Sequence, residues 1–182
     1  MLSTLVIIYI ILPVVAPITE PAVGYGAALA ALYFIPKKEV KKGEFRMPDV
    51  ATAFGAYTSN NTWLAGAAYM GFWRKDRIRY RGIFGYGDVK LKYYGTGPFN
   101  SNKSIRFSLE SFIFIQQATF RIAGSNFFIG GKYQLSKTKV KIQLSDIFPE
   151  LNPFDFNMIS SGLSLITEFE NFDNLFTPTK GV

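Results

Sequence analysis

The sequence predicts an all-β protein, an antiparallel up-and-down transmembrane β-barrel with about eight strands, and three observations predict it. Apolar residues alternate with small or polar residues at a period of two through most of the 182 residues. Aromatic residues, 16% of the chain, recur near the ends of these alternating segments. No apolar run reaches the length of about 18 residues that a membrane-spanning helix needs.

The first candidate strand runs from Leu5 to Val15, and a turn at Pro17 to Pro21 is expected to follow it. The apolar centre of this segment is also typical of a signal peptide. However, no Lys or Arg precedes it, and residues 13–17 make a poor small-residue cleavage site. The strand is the favoured interpretation, and the signal segment remains the alternative.

The most regular pattern lies in the second candidate strand, Val23 to Ile35. Tyr25, Leu29 and Tyr33 share one face, while Gly and Ala dominate the other. A strand about ten residues long, apolar with aromatic residues near both ends, is what the lipid-facing wall of a membrane barrel needs. The alternative is a strand of a soluble β-sandwich.

Two further strands, Asp49 to Tyr57 and Trp63 to Trp73, flank a hairpin-like turn at residues 59–61, after a charged connector at residues 36–44. Trp63 and Trp73 fall on the same face of their strand. At about 3.3 Å per residue their rings would lie roughly 33 Å apart along the strand, close to the separation of two membrane interfaces once strand tilt is allowed for.

A turn at residues 74–76 leads to a long strand, Arg77 to Tyr94. Its aromatic residues from Tyr80 to Tyr86 share one face. Arg77, Arg79 and Arg81 lie opposite, where we expect them to face a polar barrel interior; in a soluble protein they would form a solvated face. Beyond Gly85 to Gly87 the apolar residues change to the other face, so we expect a β-bulge there to restore the facing.

The remaining strands are Ile105 to Arg121, a partner beginning near Phe127 and alternating as far as Leu135, and a last strand from Ile159 to Glu170. Loops are expected at residues 95–102 and 123–125. A longer connector is expected from Lys137 to Phe154, because this segment contains two prolines and lacks alternation. The total is eight strands and no helix.

Composition excludes several classes of function. The chain is long enough for one domain over residues 1–182, and it contains neither Cys nor His, which removes disulfides, thiolate metal sites and the commonest general base. The net charge of +7 lies in the residue 37–42 connector and along the strand-like segments, without the clustered Arg of a nucleic-acid-binding motif. We expect no nucleic-acid partner, and contact with anionic lipid.

Glu168 and Glu170 are the nearest approach to a catalytic pair. Alternate strand positions project both onto the polar face, side by side. No Ser lies near a base, and no glycine-rich loop opens a helix. We therefore expect no enzyme, and we assign no catalytic, cofactor-binding or metal-binding residue.

The order of these segments resembles the bacterial surface antigen family, the outer-membrane barrels that include the BamA and TamA assembly proteins. Four segments carry the resemblance: residues 13–28 with Gly24-Tyr25-Gly26, the strand end at residues 93–97, the hairpin at residues 120–133, and the closing residues 173–181. The closing segment is the most specific, because the family has the pattern Asp-x-x-Asp-Asn-x-x-x-Pro-x-x-Gly at a periplasmic turn. Asn171, Asp173 and Asn174 match part of that pattern.

The resemblance implies the first half of a sixteen-stranded barrel in the outer membrane of a Gram-negative bacterium. Its partners would be outer-membrane lipid, the remainder of the same barrel and unfolded outer-membrane client proteins. The mechanism attached to the family is a weakly paired seam between first and last strands, which opens to offer an edge to a client strand. The first strand here would be the gate strand.

Three other functions are weighed against this one. A complete eight-stranded structural or channel-forming outer-membrane protein is the principal alternative. An outer-membrane lipid-modifying enzyme would need a nucleophile with a base, which a chain without His is poorly equipped to supply. A soluble lipid-binding barrel would need the inverse pattern, with apolar residues inside and polar residues outside.

Overall fold

The computed structural model describes residues 10–37, 47–93, 105–143 and 153–170, which form one eight-stranded antiparallel sheet in simple up-and-down order. In chain order the strands are β1 (Ile10–Glu20), β2 (Gly24–Ile35), β3 (Asp49–Thr58), β4 (Trp63–Trp73), β5 (Ile78–Tyr93), β6 (Ile105–Arg121), β7 (Phe127–Gln143) and β8 (Phe154–Phe169). Each strand pairs with the next in the chain, and no pairing joins β1 to β8 among the described residues.

The sheet is strongly curved. The Arg81 guanidinium on β5 lies 3.3 Å from the Glu168 carboxylate on β8, although these strands are three places apart and would be separated by roughly 14 Å in a flat sheet. The face that carries both residues is therefore concave. The most buried side chains, among them Phe72, Phe128 and Thr119, lie on this concave face.

Five predicted strands are confirmed to within one residue at each end: β2, β3, β4, β5 and β6. None of the five contains a proline, and each pairs with its neighbours in one unbroken register. The expected turns at residues 59–61, 74–76 and 123–125 also lie between strands.

The prediction for the first strand was wrong at its end. Residues 1–9 lie outside the described residues, and β1 continues through Pro13 and Pro17 to Glu20, so the turn is at residues 21–23. Proline does not end this strand because β1 lies at the edge of the sheet, where a residue directed away from the neighbouring strand needs no N–H donor.

The predicted bulge at Gly85 to Gly87 was also wrong. β5 pairs with β6 in one unbroken register from Ile78 opposite Phe120 to Tyr93 opposite Ile105. The apolar residues do lie on the other face beyond Gly87, but the strand contains no extra residue at that point. Instead, the face that is apolar before Gly87 becomes polar after it, and the opposite face becomes apolar.

The predicted connector from Lys137 to Phe154 was wrong over its first part. β7 runs on to Gln143, and β8 already begins at Phe154. Lys137, Lys139 and Lys141 alternate with Thr138, Val140 and Ile142, which is strand periodicity with the polar residues outside. Residues 144–152, like those at 95–102 and 38–44 of the expected loops, lie outside the described residues.

Candidate lipid-facing surface and inner ionic cluster

The convex face carries a continuous apolar band. Residues opposite each other in an antiparallel pair share a face, so the register places the outward residues in rows across the sheet. The outward positions with large exposed apolar side chains include Val15, Leu29, Tyr57, Trp63, Trp73, Phe84, Tyr86, Phe120, Ile129, Ile159, Leu163 and Leu165. A sheet surface this apolar is unsuited to water.

Two aromatic clusters mark the ends of the band on β3 to β5. The upper cluster is Tyr57, Trp63 and Tyr86, in which the Trp63 and Tyr86 ring centroids are 5.6 Å apart. In the lower cluster, Trp73 stacks on Tyr80 with centroids 5.6 Å apart, and Tyr69 lies 6.0 Å from Tyr80. Both tryptophans lie on the convex face, as the sequence predicted.

The spacing of the clusters matches a bilayer. Trp63 and Trp73 are the two ends of β4, roughly 33 Å apart along the strand. At the strand tilt of about 40° that is usual in transmembrane barrels, this length would correspond to roughly 25 Å along a barrel axis, the height of the apolar band in such barrels.

Above the upper cluster the two faces of β5 to β8 exchange polarity. The register aligns Asp88, Glu110, Lys139 and Asn157 in one outward row, directly after the last apolar row of β5 and β6, Tyr86 and Phe112. Beyond this row the outward residues are Lys90, Lys92, Arg106, Ser108, Lys141 and Asp155, while the concave face becomes apolar with Val89, Leu91, Phe107, Val140 and Ile142. The exchange explains the change of phase along β5 without a bulge.

The concave face of β5 to β8 holds an ionic cluster at its lower end. The Arg79 side chain is 3% exposed, and it forms ion pairs with Asp76, at 2.6 Å, and with Glu170. Its guanidinium carbon lies 3.9 Å from the Phe128 ring centroid, and that of Arg121 lies 4.5 Å from the same ring. Two cations thus share one buried aromatic ring.

Asp76 organises the turn between β4 and β5. Its carboxylate accepts hydrogen bonds from Arg79 and from Arg121, the latter at 2.5 Å, and its carbonyl accepts another from Arg121 Nε. Arg74, Lys75 and Asp76 all have positive φ angles, between 51° and 62°. Three consecutive non-glycine residues in the left-handed region are unfavourable, so the contacts of Asp76 hold a strained turn in place.

The predicted interior arginines and carboxylates have separate outcomes. Arg79 and Arg81 do lie on the concave face, whereas Arg77 is an exposed residue of the preceding turn. Glu168 and Glu170 lie on the concave face as predicted, and each pairs with an arginine: Glu168 with Arg81, Glu170 with Arg79. One oxygen of Glu168, Oε2, is buried and has no hydrogen-bond partner among the described residues.

The two edge strands differ in the hydrogen-bonding groups they offer. The Ser59 amide donates to the Tyr25 carbonyl at 2.7 Å, so the odd-numbered residues of β2 face β3 and the even-numbered residues face β1. The odd-numbered residues of β1 therefore face the open edge: Ile11, Pro13, Val15, Pro17 and Thr19. Two of these five residues are prolines and offer no N–H donor.

By contrast, every residue that β8 directs toward its open edge offers a backbone N–H donor. The Glu170 amide donates to the Asn126 carbonyl at 3.0 Å on the β7 side, so the odd-numbered residues from Asp155 to Phe169 face the open edge. None of them is a proline. β8 can therefore pair along its whole length, whereas β1 cannot.

Two of the segments that carry the family resemblance lie wholly or mostly outside the described residues. The closing segment at residues 173–181 lies outside them, as does most of the strand end at residues 93–97. In the part of the chain that the structure describes, no helix is long and apolar enough to cross a membrane. The same part contains no group of three or more His, Cys, Asp or Glu residues placed to hold a metal ion.

Comparison with protein-family models, with curated proteins and with solved structures finds no match for this chain.

Sequence reasoning missed three members of the ionic cluster, Asp76, Arg121 and Phe128. Asp76 reads as an ordinary turn residue, and its spacing of three from Arg79 is the only local signal of their ion pair. Phe128 lies between two outward residues, Phe127 and Ile129, in an apolar run. Strict alternation assigns Phe128 to the concave face, but only the curvature brings both guanidinium groups onto its ring.

Proposed function

We propose that this chain forms the first half of an outer-membrane β-barrel of the assembly and translocation type, which inserts proteins into the outer membrane or moves them across it. One combination of features supports this proposal: the sheet has an apolar convex band, and its two edge strands differ in the backbone N–H donors that they direct outward. The band supplies a surface suited to lipid. The unequal edges supply a seam that can open on one side only.

The convex face and the concave face of β5 to β8 carry different kinds of side chain. An apolar convex surface about 25 Å tall, ended by aromatic clusters, is the exterior that a membrane barrel presents to lipid. The concave face of β5 to β8 carries Arg79, Arg81, Gln117, Lys132 and Glu168 along the same stretch, which suits a hydrated interior. A soluble lipid-binding barrel has the inverse arrangement.

The open edges of β1 and β8 bear more directly on the proposed function. An open sheet in lipid would leave unpaired backbone groups at both edges, each at a cost of several kcal/mol, so both edges need partners. The edge of β8 suits a permanent partner strand from the second half of the barrel. The edge of β1, lacking donors at Pro13 and Pro17, suits a weak pairing that a client strand can replace.

Insertion in the membrane can be tested with the two tryptophans, which are the only ones in the chain. The variants Trp63→Phe and Trp73→Phe each leave one fluorophore, in vesicles whose lipids carry bromine near the headgroup or near the chain end. Both single-tryptophan proteins should be quenched more strongly by bromine near the headgroup, because the rings lie at the two interfaces. Absence of quenching by either lipid would refute membrane insertion.

The assembly function is separated from a closed eight-stranded barrel by disulfide cross-linking, since the chain has no native Cys. Val15→Cys on the β1 edge is combined in turn with Ser161→Cys, Leu163→Cys or Leu165→Cys on the β8 edge, all on the convex face, in native membranes. We expect no intramolecular disulfide, and we expect Val15→Cys alone to cross-link to a client strand that carries a cysteine. An efficient intramolecular disulfide would support the small structural or channel-forming barrel instead.

A further inference from the structure

The basic residues above the apolar band line a groove of about 590 Å³ on the convex side of the sheet. Among the described residues, four cationic side chains line it, Lys90, Lys92, Arg106 and Lys141, against one carboxylate, that of Asp88. The carboxylate is already engaged, because Ser108 Oγ donates to it at 2.6 Å and Lys90 Nζ lies 3.7 Å from it. The groove therefore carries a net positive charge.

The wall of the groove is built from short turns rather than from surface side chains alone. Asn60 Nδ2 donates to the Lys90 carbonyl at 2.6 Å, and the Lys90 amide donates to Thr62 Oγ1 at 2.8 Å. The Lys92 amide donates to the Ala22 carbonyl at 3.0 Å. The turns between β1 and β2 and between β3 and β4 thus hold the upper part of β5 in position.

The groove lies at the border of the apolar band. Asp88 is directly opposite Trp63 in the register, and Trp63 belongs to the upper aromatic cluster. A molecule with an anionic head and apolar tails would place its head in the groove and its tails along Trp63, Tyr86 and Phe84. Basic side chains beside a membrane surface attract anionic headgroups in this way.

We propose that the groove binds the phosphate-bearing headgroup of a membrane lipid whose acyl chains lie against the convex face. This inference rests on the proposed membrane insertion, and it adds a specific lipid to that function. The phosphate would accept hydrogen bonds from the lysine ammonium groups, and the excess of cationic side chains over the Asp88 carboxylate would disfavour a cationic headgroup.

The test uses the full chain in detergent micelles. Its probes are a lipid A carrying phosphate monoesters and the same glycolipid after enzymatic dephosphorylation, and binding is measured by native mass spectrometry. The variant Lys90→Gln/Lys92→Gln/Lys141→Gln should bind the phosphorylated lipid about a hundredfold more weakly, at roughly fivefold for each cation. The dephosphorylated lipid should bind wild type and variant equally.

A matched control removes three cations elsewhere. Arg74→Gln/Lys75→Gln/Lys132→Gln has the same change in charge, but its residues lie in the turn between β4 and β5 and on the concave face. This control should bind the phosphorylated lipid as wild type does. Equal loss in both variants would show a general charge effect and overturn the proposal, as would no preference for the phosphorylated lipid.

Two further outcomes are distinguishable. Complete displacement of the lipid by an equal concentration of inorganic phosphate would show a site for the free anion and overturn the assignment to a lipid. Tryptophan quenching by brominated lipid, measured on the same preparations, separates the two proposals. Absent quenching refutes insertion itself, whereas normal quenching without headgroup preference refutes only the groove.

Discussion

Strands β1 to β4 and strands β5 to β8 belong to one sheet but are stabilised differently. The first four strands have 10 to 12 residues each, and apart from Glu20 at the end of β1 their concave face is apolar or small, as at Ala28, Phe54 and Gly66. The last four have 16 or 17 residues each and carry charged side chains on the concave face. The second group also contains ion pairs that reach from β5 across β6 and β7 to the end of β8.

Side-chain ion pairs stabilise the curvature of one part of the sheet only, among the described residues. Arg79 and Arg81 on β5 reach Glu170 and Glu168 beyond β6 and β7, so side-chain contacts hold β5 to β8 in a bend. In β1 to β4 the backbone ladder and close packing of small residues hold the strands, without such cross-links among the described residues. The group without such ion pairs ends in the edge with two prolines, and the group that contains them ends in the edge of β8.

The largest expected effect is the loss of Arg79. The variant Arg79→Ala removes a buried guanidinium and leaves the partly exposed carboxylates of Asp76 and Glu170 each without one partner. Because Asp76 keeps Arg121, the expected loss in the free energy of unfolding is about 3 kcal/mol, the lower end of the range for broken buried ion pairs. The measurement is urea unfolding in detergent micelles, followed by tryptophan fluorescence.

Arg81→Ala is the matched control. Its side chain is 35% exposed, and its pairing distance to Glu168 is 3.3 Å, so its loss should cost at most about 1 kcal/mol. Equal effects of the two variants would show that burial of the ionic cluster does not stabilise the curvature of β5 to β8.

A smaller effect is expected from two neighbouring glycines of β7. A Cβ atom at Gly130 would lie 2.6 Å from the Thr119 Cα, whereas one at Gly131 would have no neighbour closer than 3.8 Å. Gly130→Ala should therefore lower the free energy of unfolding by about 1–3 kcal/mol, through overpacking against rigid backbone.

Gly131→Ala, measured in the same urea unfolding experiment, should leave the free energy of unfolding within about 0.5 kcal/mol of wild type or raise it slightly. If both substitutions are neutral, β6 and β7 are less closely packed on the concave face than the structure indicates, and the rigidity assigned to this group of strands is overestimated.

The smallest effect on stability, and the sharpest on association, is expected at the β1 edge. Pro13→Val/Pro17→Val restores two N–H donors that face the open edge, so self-association through β1 should increase while the unfolding free energy changes by less than about 1 kcal/mol. Sedimentation velocity in detergent measures the association.

Val15→Ile is the control for this edge, because it changes a side chain at the same edge without adding a donor. It should sediment as wild type does. An unchanged sedimentation coefficient in the double proline variant would show that the prolines do not limit pairing at β1, and the inequality of the two edges would lose its physical basis.

Several features of the fold followed from local pattern alone. Alternation predicted β2, β3, β4 and β6, and it placed Trp63 and Trp73 on one face and Arg79 and Arg81 on the other. These predictions succeeded because a strand directs successive side chains to opposite faces whatever surrounds it. The membrane location, the family resemblance and the assembly function remain predictions.

The errors share one cause. The bulge at Gly85 to Gly87 and the connector at Lys137 were predicted on the assumption that each face keeps one polarity along its whole length. In the structure the faces exchange polarity at the row of Asp88, and β5 and β7 continue beyond it. A periodicity shows that successive residues alternate, but not which environment each face meets.

Because strand geometry is local and has a period of two, the class of the fold, the number of strands and the faces of the side chains in β2 to β4 could be predicted from the amino-acid sequence. Which distant residues meet depends on the pairing and curvature of the whole sheet. The curvature brings Arg79 to Glu170 and stacks it on Phe128, and the register directs the nitrogen atoms of Pro13 and Pro17 toward the open edge. Both depend on the pairing of strands far apart in the chain, which no local pattern encodes.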